Sequence, residues 1–380
     1  MRVLVVNAGS SSLKVSLVDE DDHVLSEREF EAAEGRVAET ELSSVIRSMD
    51  GIEAIGHRVV HGGPRYPGSV RIDGEVIRYL VSITDLAPLH LPATLASMSA
   101  VREVLPRLPA VACMDTAFHA RMPAAASTYA IPAEWRERWG IRRYGFHGFS
   151  HAYASRRAAE MLGRPITELK LVTCHLGSGA SLAAVRAGRS VDTTMGFTPL
   201  EGLVMATRSG TVDPGMLLYL ERHAGLTEAQ LTEALDRKGG LVALAGTGDM
   251  REILARIEEG DDDAELALDV YVHRLRALIA SMAAAMAGLD ALVFTGGVGE
   301  NAAPVRGATV SGLRFLGVET EPALNASAEG DADISAPGAR VPTLVVKARE
   351  DVEVAREVRR VLSAPASAPA ARASGDAVST

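Results

Sequence analysis

The sequence contains the same local pattern twice, about half a chain apart. Residues 3–19 predict a strand, a Gly/Ser loop, a second strand and an acidic turn. Residues 171–191 predict a strand, the loop HLGSG, a second strand and the turn RAGR. Two hairpins with glycine-rich tips at this separation indicate a duplicated domain with a ligand between the two halves.

The segments between and after these hairpins favour an α/β fold. Helical patterns at 151–162 and 262–286 alternate with apolar runs that are typical of strands, and this alternation is characteristic of α/β proteins. The strand-like runs lie at 2–6, 13–18, 169–174, 291–295 and 343–347. The Ala-rich stretch 277–294 contains Asp290 and leads into a glycine loop, which predicts a buried helix and a strand rather than a membrane span. Residues 363–380 are rich in Ala, Ser and Pro and predict a disordered tail.

Charge and cysteine content narrow the class of protein. The formal net charge of −10 argues against nucleic acid or an anionic membrane as the main partner. Cys113 and Cys174 lie in apolar runs without the spacing of a zinc site, so we expect buried thiols in a reducing compartment. The first apolar run ends too early for a signal peptide. These features predict a cytoplasmic protein.

The loop of the first hairpin has the composition of a phosphate-binding loop without the helix that a Walker A motif requires. Residues 15–18 favour a strand instead, so backbone N–H groups at 9–12 would form an anion nest at a hairpin tip. Lys14 follows this loop, in a chain with only four lysines among its 39 basic residues. The loops at 175–179 and 295–301 are also rich in glycine. Each loop alone is typical of an ordinary turn, but the three together favour nucleotide binding.

Isolated charged residues in apolar segments form a second set of candidates. Arg58 lies in HRVVHGG, His147 in RRYGFHG, and Arg208 near the end of FTPLEGLVMATRSG. A core histidine and structural ion pairs would explain each of them separately. Together they are typical of a clamp for a small, doubly anionic reacting group. Asp115 and Glu350 follow apolar strands, where catalytic or metal-linked carboxylates are common.

These motifs, taken in order, resemble the acetate kinase family from residue 3 to about residue 358. The matching segments are VLVVNAGSSSLKVSLVD, GHRVVHGG, DTAFH, RRYGFHG, TCHLGSG, DTTMGFTPLEGLVMATRSG, DP at 213–214 and VFTGGVGEN. The resemblance implies a duplicated actin-like (ribonuclease-H-like) α/β fold with the active site in the cleft between the halves. It also implies an N-terminal domain of residues 1–119 with a returning helix at 352–362, and a C-terminal domain of residues 120–351.

The reaction implied by the resemblance is reversible transfer of the ATP γ-phosphoryl group to acetate, which gives acetyl phosphate and ADP. The implied metal is Mg²⁺, with Mn²⁺ as an alternative, and the implied assembly is a homodimer. Phosphoryl transfer spreads negative charge over three oxygens, so a protein contributes mainly positioning and cationic donors.

The resemblance also assigns roles to individual residues. It implies Asn7 and Glu350 for the metal, and Asp115, His147 and Arg208 for catalysis. The acetate site would consist of Arg58 at the carboxylate and, around the methyl group, of Val60, Leu89, His90, Phe146 and Pro199. The nucleotide site would consist of Ser10, Ser12, Lys14, His175, Leu176, Gly177, Ser178, Gly179, Asp249, Met250, Arg251, Gly297, Val298, Gly299, Glu300 and Asn301.

The role of Asp115 needs a separate argument. A carboxylate substrate is already ionised near neutral pH and has no proton to lose. We therefore predict that Asp115 orients an arginine or a metal-bound water. Three residues depart from the usual family pattern: Ser178 and Leu91 replace asparagines, and Arg349 precedes the metal carboxylate.

Two other functions stay open at this point. A propionate or other short-chain acyl kinase needs the same catalytic groups, because one methylene in an apolar pocket discriminates by only about 1–3 kcal/mol. A non-catalytic nucleotide sensor on the same fold is the second. Retention of Arg58, His147, Arg208 and Glu350 argues against the sensor, which has no chemical need for all four.

Overall fold

The computed structural model describes residues 1–9, 12–31, 39–87 and 90–364, which form two mixed β-sheets covered by helices. Two predicted site residues, Ser10 and Leu89, lie outside these ranges. For Ser12 the structure describes the backbone and not the side chain. The same holds for residues 365–380 of the predicted tail.

Each sheet has six strands. The first contains β1 (Val3–Ala8), β2 (Ser12–Val18), β3 (Val24–Glu31), β4 (Ala54–Val59), β5 (Val70–Arg71) and β6 (Ala110–Met114). The second contains β7 (Lys170–Leu176), β8 (Ala180–Arg186), β9 (Arg189–Thr193), β10 (Ala291–Thr295), β11 (Ala332–Asp333) and β12 (Thr343–Val345). All five strands predicted from the apolar runs are present.

The two sheets repeat one topology. The first has the order β3-β2-β1-β4-β6-β5, and the second has the order β9-β8-β7-β10-β12-β11. In both, an antiparallel hairpin pairs with a third antiparallel strand on one side and with two successive parallel strands on the other. The outermost short strand is antiparallel in both sheets. This repeat confirms the duplicated α/β fold that the two hairpins predicted.

Helices occupy most of the remaining described chain. They are α1 (Glu39–Arg47), α2 (Gly74–Ser82), α3 (Leu91–Val104), α4 (Ala124–Ser127), α5 (Ala133–Trp139), α6 (Gly148–Met161), α7 (Pro214–Ala224), α8 (Glu228–Asp236), α9 (Gly240–Ala245), α10 (Met250–Glu258), α11 (Asp262–Ala285), α12 (Gly296–Asn301), α13 (Ala303–Ser311), α14 (Pro322–Ala326) and α15 (Glu350–Ser363). Short 3₁₀ turns lie at Thr84–Leu86, Ala117–His119, Ile166–Glu168 and Arg314–Leu316.

Both faces of each sheet are buried beneath helices, which explains why the strands are nearly continuous apolar runs. On the first sheet, α3 packs on one face and α15 on the other, where Val354 and Val358 join a cluster with Val3 and Cys113. On the second sheet, α6 and α11 take the corresponding places. The last helix of the chain therefore packs against the first sheet.

The Ala-rich segment forms the helix and strand predicted for it. Helix α11 ends at Ala285 and β10 begins at Ala291, and between them Asp290 Oδ2 accepts a 2.8 Å hydrogen bond from the Lys170 amide. Within the described residues, no helix is both long enough and apolar enough to cross a membrane.

One local prediction was wrong. Residues 296–301 were expected to be a glycine loop, but they form the short helix α12. The Gly296 amide donates a 3.0 Å hydrogen bond to Glu300 Oε1, one turn later in the same segment, and this bond favours the helical turn over an open loop.

Candidate active site

The candidate catalytic residues lie where parallel strands of the first sheet end. In the sheet register, Asn7 of β1 is opposite Arg58 of β4, and Arg58 is opposite Cys113 of β6. Asp115 follows directly after β6. Because the carboxyl ends of parallel strands meet at one edge, residues 51 to 57 positions apart in sequence become neighbours.

Arg58 and Asp115 form a buried ion pair at this edge. Arg58 Nη2 donates to Asp115 Oδ2 at 2.7 Å, and Asp115 is only 1% exposed. The same Oδ2 accepts the His147 amide at 2.9 Å. Burial disfavours a charged Arg58, but the carboxylates of Asp115 and Glu350 outweigh burial and raise the pKa of its guanidinium. Asp115 therefore holds both Arg58 and the chain segment that carries His147.

Helix α6 is anchored directly on this strand end. The Gly148 amide donates to the Asp115 carbonyl at 3.0 Å, and a Cβ at Gly148 would lie 2.1 Å from that oxygen. Only glycine permits this close approach. His147, which precedes the helix, has φ 55°, a left-handed backbone that is uncommon for residues other than glycine. Such a backbone conformation persists only where the surrounding structure holds the residue in place.

A chain of hydrogen bonds fixes the His147 ring. His147 Nδ1 lies 2.9 Å from Ser181 Oγ, which lies 2.8 Å from His151 Nε2, and His151 Nδ1 lies 2.8 Å from Thr173 Oγ1. On its other side the His147 ring stacks on His175 at 4.3 Å between centroids. Burial, and then the neighbouring His175 and Arg58, lower the pKa of His147 well below its ordinary value. The imidazole is therefore neutral at pH 7.

The tip of the second hairpin lies between the two other candidate catalytic groups. A Cβ at Gly179 would be 3.1 Å from Arg208 Nη2 and 3.3 Å from His147 Nε2. Arg208 Nη1 donates to the Pro199 carbonyl at 2.8 Å. Burial lowers the pKa of Arg208 and the carboxylate of Asp236 opposes that shift, but an arginine keeps its charge in proteins.

A small cavity of about 120 Å³ lies beside Arg58, and the predicted metal residues Asn7 and Glu350 line it. Arg58 Nη1 is 3.3 Å from Asn7 Oδ1, and its Nε is 3.5 Å from Glu350 Oε2. Lys14 also lines this cavity, but its Nζ forms a 2.9 Å ion pair with Glu27. Glu350 was expected to follow a strand directly, and it is instead the first residue of α15.

The cavity brings in one carboxylate that sequence reasoning missed. Asp351 lines it and is 7% exposed, and its Oδ2 has no hydrogen-bond partner among the described residues. A buried carboxylate oxygen without a partner is costly unless a bound water or cation satisfies it. Within the described residues, no group of three or more His, Cys, Asp and Glu side chains is placed so that it could hold one metal ion.

Of the apolar residues predicted around the acetate methyl group, Val60 and Phe146 are buried, and Pro199 is only partly buried and contacts Arg208 through its carbonyl. His90 precedes α3, and its pKa is lowered to about 4, first by burial and then by Arg58 and Arg208. The His90 ring is therefore neutral at pH 7.

A larger cavity of about 770 Å³ is lined by half of the predicted nucleotide residues, which come from distant parts of the chain. Its lining includes Gly177 and Ser178 of the second hairpin tip, Asp249 to Arg251 at the start of α10, and residues of α12. Asp249 and Arg251 form an ion pair with a 2.6 Å contact between Oδ2 and Nη2. The volume lies within the usual range for small-molecule sites.

The structure adds residues to both parts of the site. Ser181 and His151 support His147, and Leu241, Leu254 and Tyr271 line the larger cavity. The only sequence signal for Ser181 is its position two residues after Gly179, which places both on one face of the hairpin. His175, predicted to bind nucleotide, has its ring against His147.

Comparison with known proteins agrees with this arrangement. A model of the Acetokinase family matches residues 28–356. The acetate kinase of Geobacillus kaustophilus (strain HTA426) is 43% identical over 391 residues, covering 95% of this chain and 99% of that protein. A crystal structure of Porphyromonas gingivalis acetate kinase superimposes with a TM-score of 0.86 at 36% identity, covering 95% of this chain and 99% of that chain.

A crystal structure of a propionate kinase from Francisella tularensis subsp. tularensis SCHU S4 is similar to the same extent. It has a TM-score of 0.87 at 34% identity, with 95% of this chain and 99% of that chain covered. The family model spans most of the chain, and the relatives are matched over nearly their full length. These matches confirm the family predicted from the motifs. The chain belongs to the acetokinase family.

Proposed function

We propose that the protein is an acetate kinase, which transfers the γ-phosphoryl group of ATP reversibly to acetate and yields acetyl phosphate and ADP. The observation that carries this proposal is the meeting of Arg208, His147 and Gly179 at one point. That point lies between the larger cavity, which Gly177 and Ser178 help to line, and the buried Arg58. A phosphoryl group in transit between nucleotide and carboxylate would lie there.

Arg58 binds the carboxylate of acetate in this mechanism. Its guanidinium presents several N–H donors in a plane, which suits a carboxylate. Asp115 is a positioning residue that holds one Arg58 nitrogen at 2.7 Å. It has no proton to take from acetate, which is already ionised. Val60, Phe146 and Pro199 surround the methyl group.

His147 and Arg208 stabilise the charge that spreads over the transferred phosphoryl oxygens. If Thr173 donates to His151 Nδ1, and His151 Nε2 donates to Ser181, then Ser181 donates to His147 Nδ1. This direction leaves a proton on His147 Nε2, the nitrogen next to Gly179 and Arg208. A neutral imidazole then donates one hydrogen bond, and Arg208 supplies the positive charge.

The family uses a divalent metal with ATP, and Mg²⁺ fits the residues present, with Mn²⁺ as the alternative. Mg²⁺ keeps several waters and takes one or two protein oxygens plus substrate phosphates. Asn7 and Glu350 would hold it, and the unpaired Asp351 Oδ2 would accept a hydrogen bond from one of its waters. When bound, the ion neutralises negative charge on the β- and γ-phosphates.

The nucleotide would occupy the larger cavity, with its adenosine beside Asp249 to Arg251 and α12 and its phosphates at the second hairpin tip. Lys14 would reach the phosphates by leaving Glu27, a half-exposed ion pair that costs little to break. Ser10 and Ser12 belong to the same phosphate loop.

We also propose domains of 1–119 with 352–362 and of 120–351, cytoplasmic localisation, and a homodimer. Helix α7 supports the dimer. None of its residues is buried, and its apolar side chains Leu218 and Tyr219 are each 62% exposed. A helix with exposed apolar residues on this scale is typical of a subunit interface. Sedimentation should give twice the 40.0 kDa of one chain, and the mass of a single chain would contradict the dimer.

The proposal is tested by ADP release with acetate, propionate and butyrate as acceptors, in the wild type and in Arg208→Ala. We expect turnover with acetate, and a loss of about 10³- to 10⁵-fold in kcat for Arg208→Ala with ATP binding retained. The matched control is Arg237→Ala, an exposed arginine, which should leave kcat unchanged.

The same experiment separates the alternatives. A kcat/KM for propionate well above that for acetate would make the protein a propionate kinase, an alternative favoured by the similar Francisella structure. Absence of turnover with every acid, despite ATP binding, would make it a nucleotide sensor.

A further inference from the structure

A cavity of about 320 Å³ lies on the opposite face of the strand that carries Arg58. Side chains alternate between the two faces of a strand. Gly56 faces α15, since a Cβ there would lie 2.7 Å from Val358 and 2.9 Å from Val354. Arg58 faces the same side, and Ile55 and His57 therefore face the other side, where both line this cavity. No step of the proposed reaction uses it.

The cavity contains a buried polar group without a partner. His57 is 2% exposed, and its Nδ1 has no hydrogen-bond partner among the described residues. Burial lowers the pKa of His57 to about 4, so the ring is neutral at pH 7. An unpaired buried nitrogen of this kind is destabilising unless a ligand or water satisfies it.

Two arginines also line the cavity. Arg71 lies on β5 and Arg102 in the last turn of α3, and their exposed side chains form no ion pair or hydrogen bond with any described residue. One acidic residue lines it, Asp73, whose Oδ1 accepts the amides of Glu75 and Val76 at the start of α2. The basic groups therefore outnumber the acidic one, and an anion is the favoured charge type.

The rest of the lining is mostly apolar. It includes Ile72, Ile77, Leu95, Met98 and Leu105. An apolar cavity wall beside two arginines without ion pairs and a neutral imidazole favours a ligand with a hydrocarbon part and one anionic head. A fully hydrophilic ion such as phosphate would leave the apolar wall uncovered, and a neutral alcohol would leave the arginines unpaired.

We propose that this cavity is a second ligand site, distinct from the reaction cleft, that binds an amphiphilic monocarboxylate. Its carboxylate pairs with Arg71 and Arg102, and its hydrocarbon chain lies against the apolar wall beside His57. The site is formed by the described monomer and is separate from the proposed reaction, because its lining lies on the face of β4 opposite to Arg58.

Calorimetry with octanoate as the probe tests this site, with octan-1-ol and inorganic phosphate as comparison ligands. We expect octanoate to bind the wild type and to bind Arg71→Ala/Arg102→Ala at least tenfold more weakly. Ser99→Phe, which fills the cavity from an exposed position, should also abolish binding. Arg107→Ala is the matched control, an exposed arginine of the same region outside the lining, and should bind octanoate as the wild type does.

ATP binding, measured in parallel, establishes that every variant is folded. The proposal is overturned if the wild type does not bind octanoate, or if phosphate or octan-1-ol binds as tightly as octanoate does. It is also overturned if the double variant binds octanoate with wild-type affinity, because the probe would then occupy another place, such as the carboxylate site at Arg58. Failure of these binding measurements would leave the ADP-release test of the kinase unaffected.

Discussion

At the scale of single residues, Asp115 determines where the Arg58 charge lies. In the Arg58–Asp115 pair the carboxylate is buried and the arginine is 12% exposed, and neutralising one partner of such a pair is expensive because the other charge stays largely out of water. The same carboxylate also accepts the His147 amide. One side chain therefore positions the arginine proposed to bind the substrate and the histidine proposed to act in catalysis.

We expect Asp115→Asn to raise the KM for acetate and to lower the free energy of unfolding by about 3–5 kcal/mol. Initial rates and urea unfolding measure the two effects. Asp290→Asn, which removes a carboxylate that serves only structural bonds to Lys170 and Arg164, is the control for stability without a change in KM. Near wild-type activity with normal Mg²⁺ dependence in Asp115→Asn would refute the positioning role.

In the proposed direction of the hydrogen-bond chain, Ser181 determines which nitrogen of His147 carries the proton. In Ser181→Ala, Nδ1 loses its donor and the proton distributes between both nitrogens. Loss of one such hydrogen bond is worth about 1–3 kcal/mol, so kcat should fall about 5- to 100-fold. Nitrogen NMR of His147 should report the changed tautomer, which a purely structural role would not alter. Ser155→Ala, a buried serine bonded only to the Ala152 carbonyl, should change neither quantity.

At the scale of elements, the second hairpin places backbone where side chains would obstruct the reaction. Gly177 and Gly179 are bonded to each other across the tip, with an N to O distance of 3.0 Å. Ser178 accepts the Ala206 amide at 3.1 Å, which ties the tip to the segment before Arg208. A phosphate at this tip would meet backbone amides and would lie between His147 and Arg208.

Gly179→Ala tests this geometry. The added methyl group lies 3.1 Å from Arg208 Nη2 and 3.3 Å from His147 Nε2, so one of them must move by a few tenths of an ångström. Because displacements of about 1 Å cost about 10²-fold in rate, we expect kcat to fall by roughly tenfold with little change in stability. Gly68→Ala is the control, since a Cβ there meets no atom within 4 Å. An unchanged kcat in Gly179→Ala would contradict the proposed position of the transferred group.

At the scale of the whole molecule, buried histidines tie stability to pH. The chain has ten histidines. Burial is the first cause of a lowered pKa at His57, His61, His90, His119, His147, His151 and His175. Below an unfolded-state pKa of about 6.5, the unfolded chain binds protons that the folded chain does not. The contribution of these neutral histidines to the stability of the folded state is thus complete above about pH 6.5 and decreases as the pH falls.

Urea unfolding between about pH 7.5 and 5.5 should therefore show stability falling on acidification, by up to about 1.4 kcal/mol per pH unit for each such histidine. His61→Asn retains an acceptor for the Gly63 amide but cannot be protonated, so it should reduce the slope by up to one proton. His223→Asn, at an exposed position, should leave the slope unchanged. Stability that rises as the pH is lowered through this range would contradict the prediction.

The duplicated α/β fold was predictable from the sequence, because hairpin and strand patterns depend on local alternation of apolar residues and on turn glycines. The motifs also identified the family, and the resemblance implies a role for each candidate residue. The local pattern predicted the wrong structure at residues 296–301. There the Glu300 side chain accepts the Gly296 amide and favours a helix, which glycine content alone does not predict.

Which residues contact one another became known from the three-dimensional structure. The pairing of Arg58 with Asp115, the relay from Thr173 to His147, and the unpaired oxygen of Asp351 join residues far apart in sequence. The same is true of the ion pair of Lys14 with Glu27 and of the cavity behind His57. Periodicity reports which face of an element is buried. Packing alone sets the distances, the desolvation and the charges that each buried group meets.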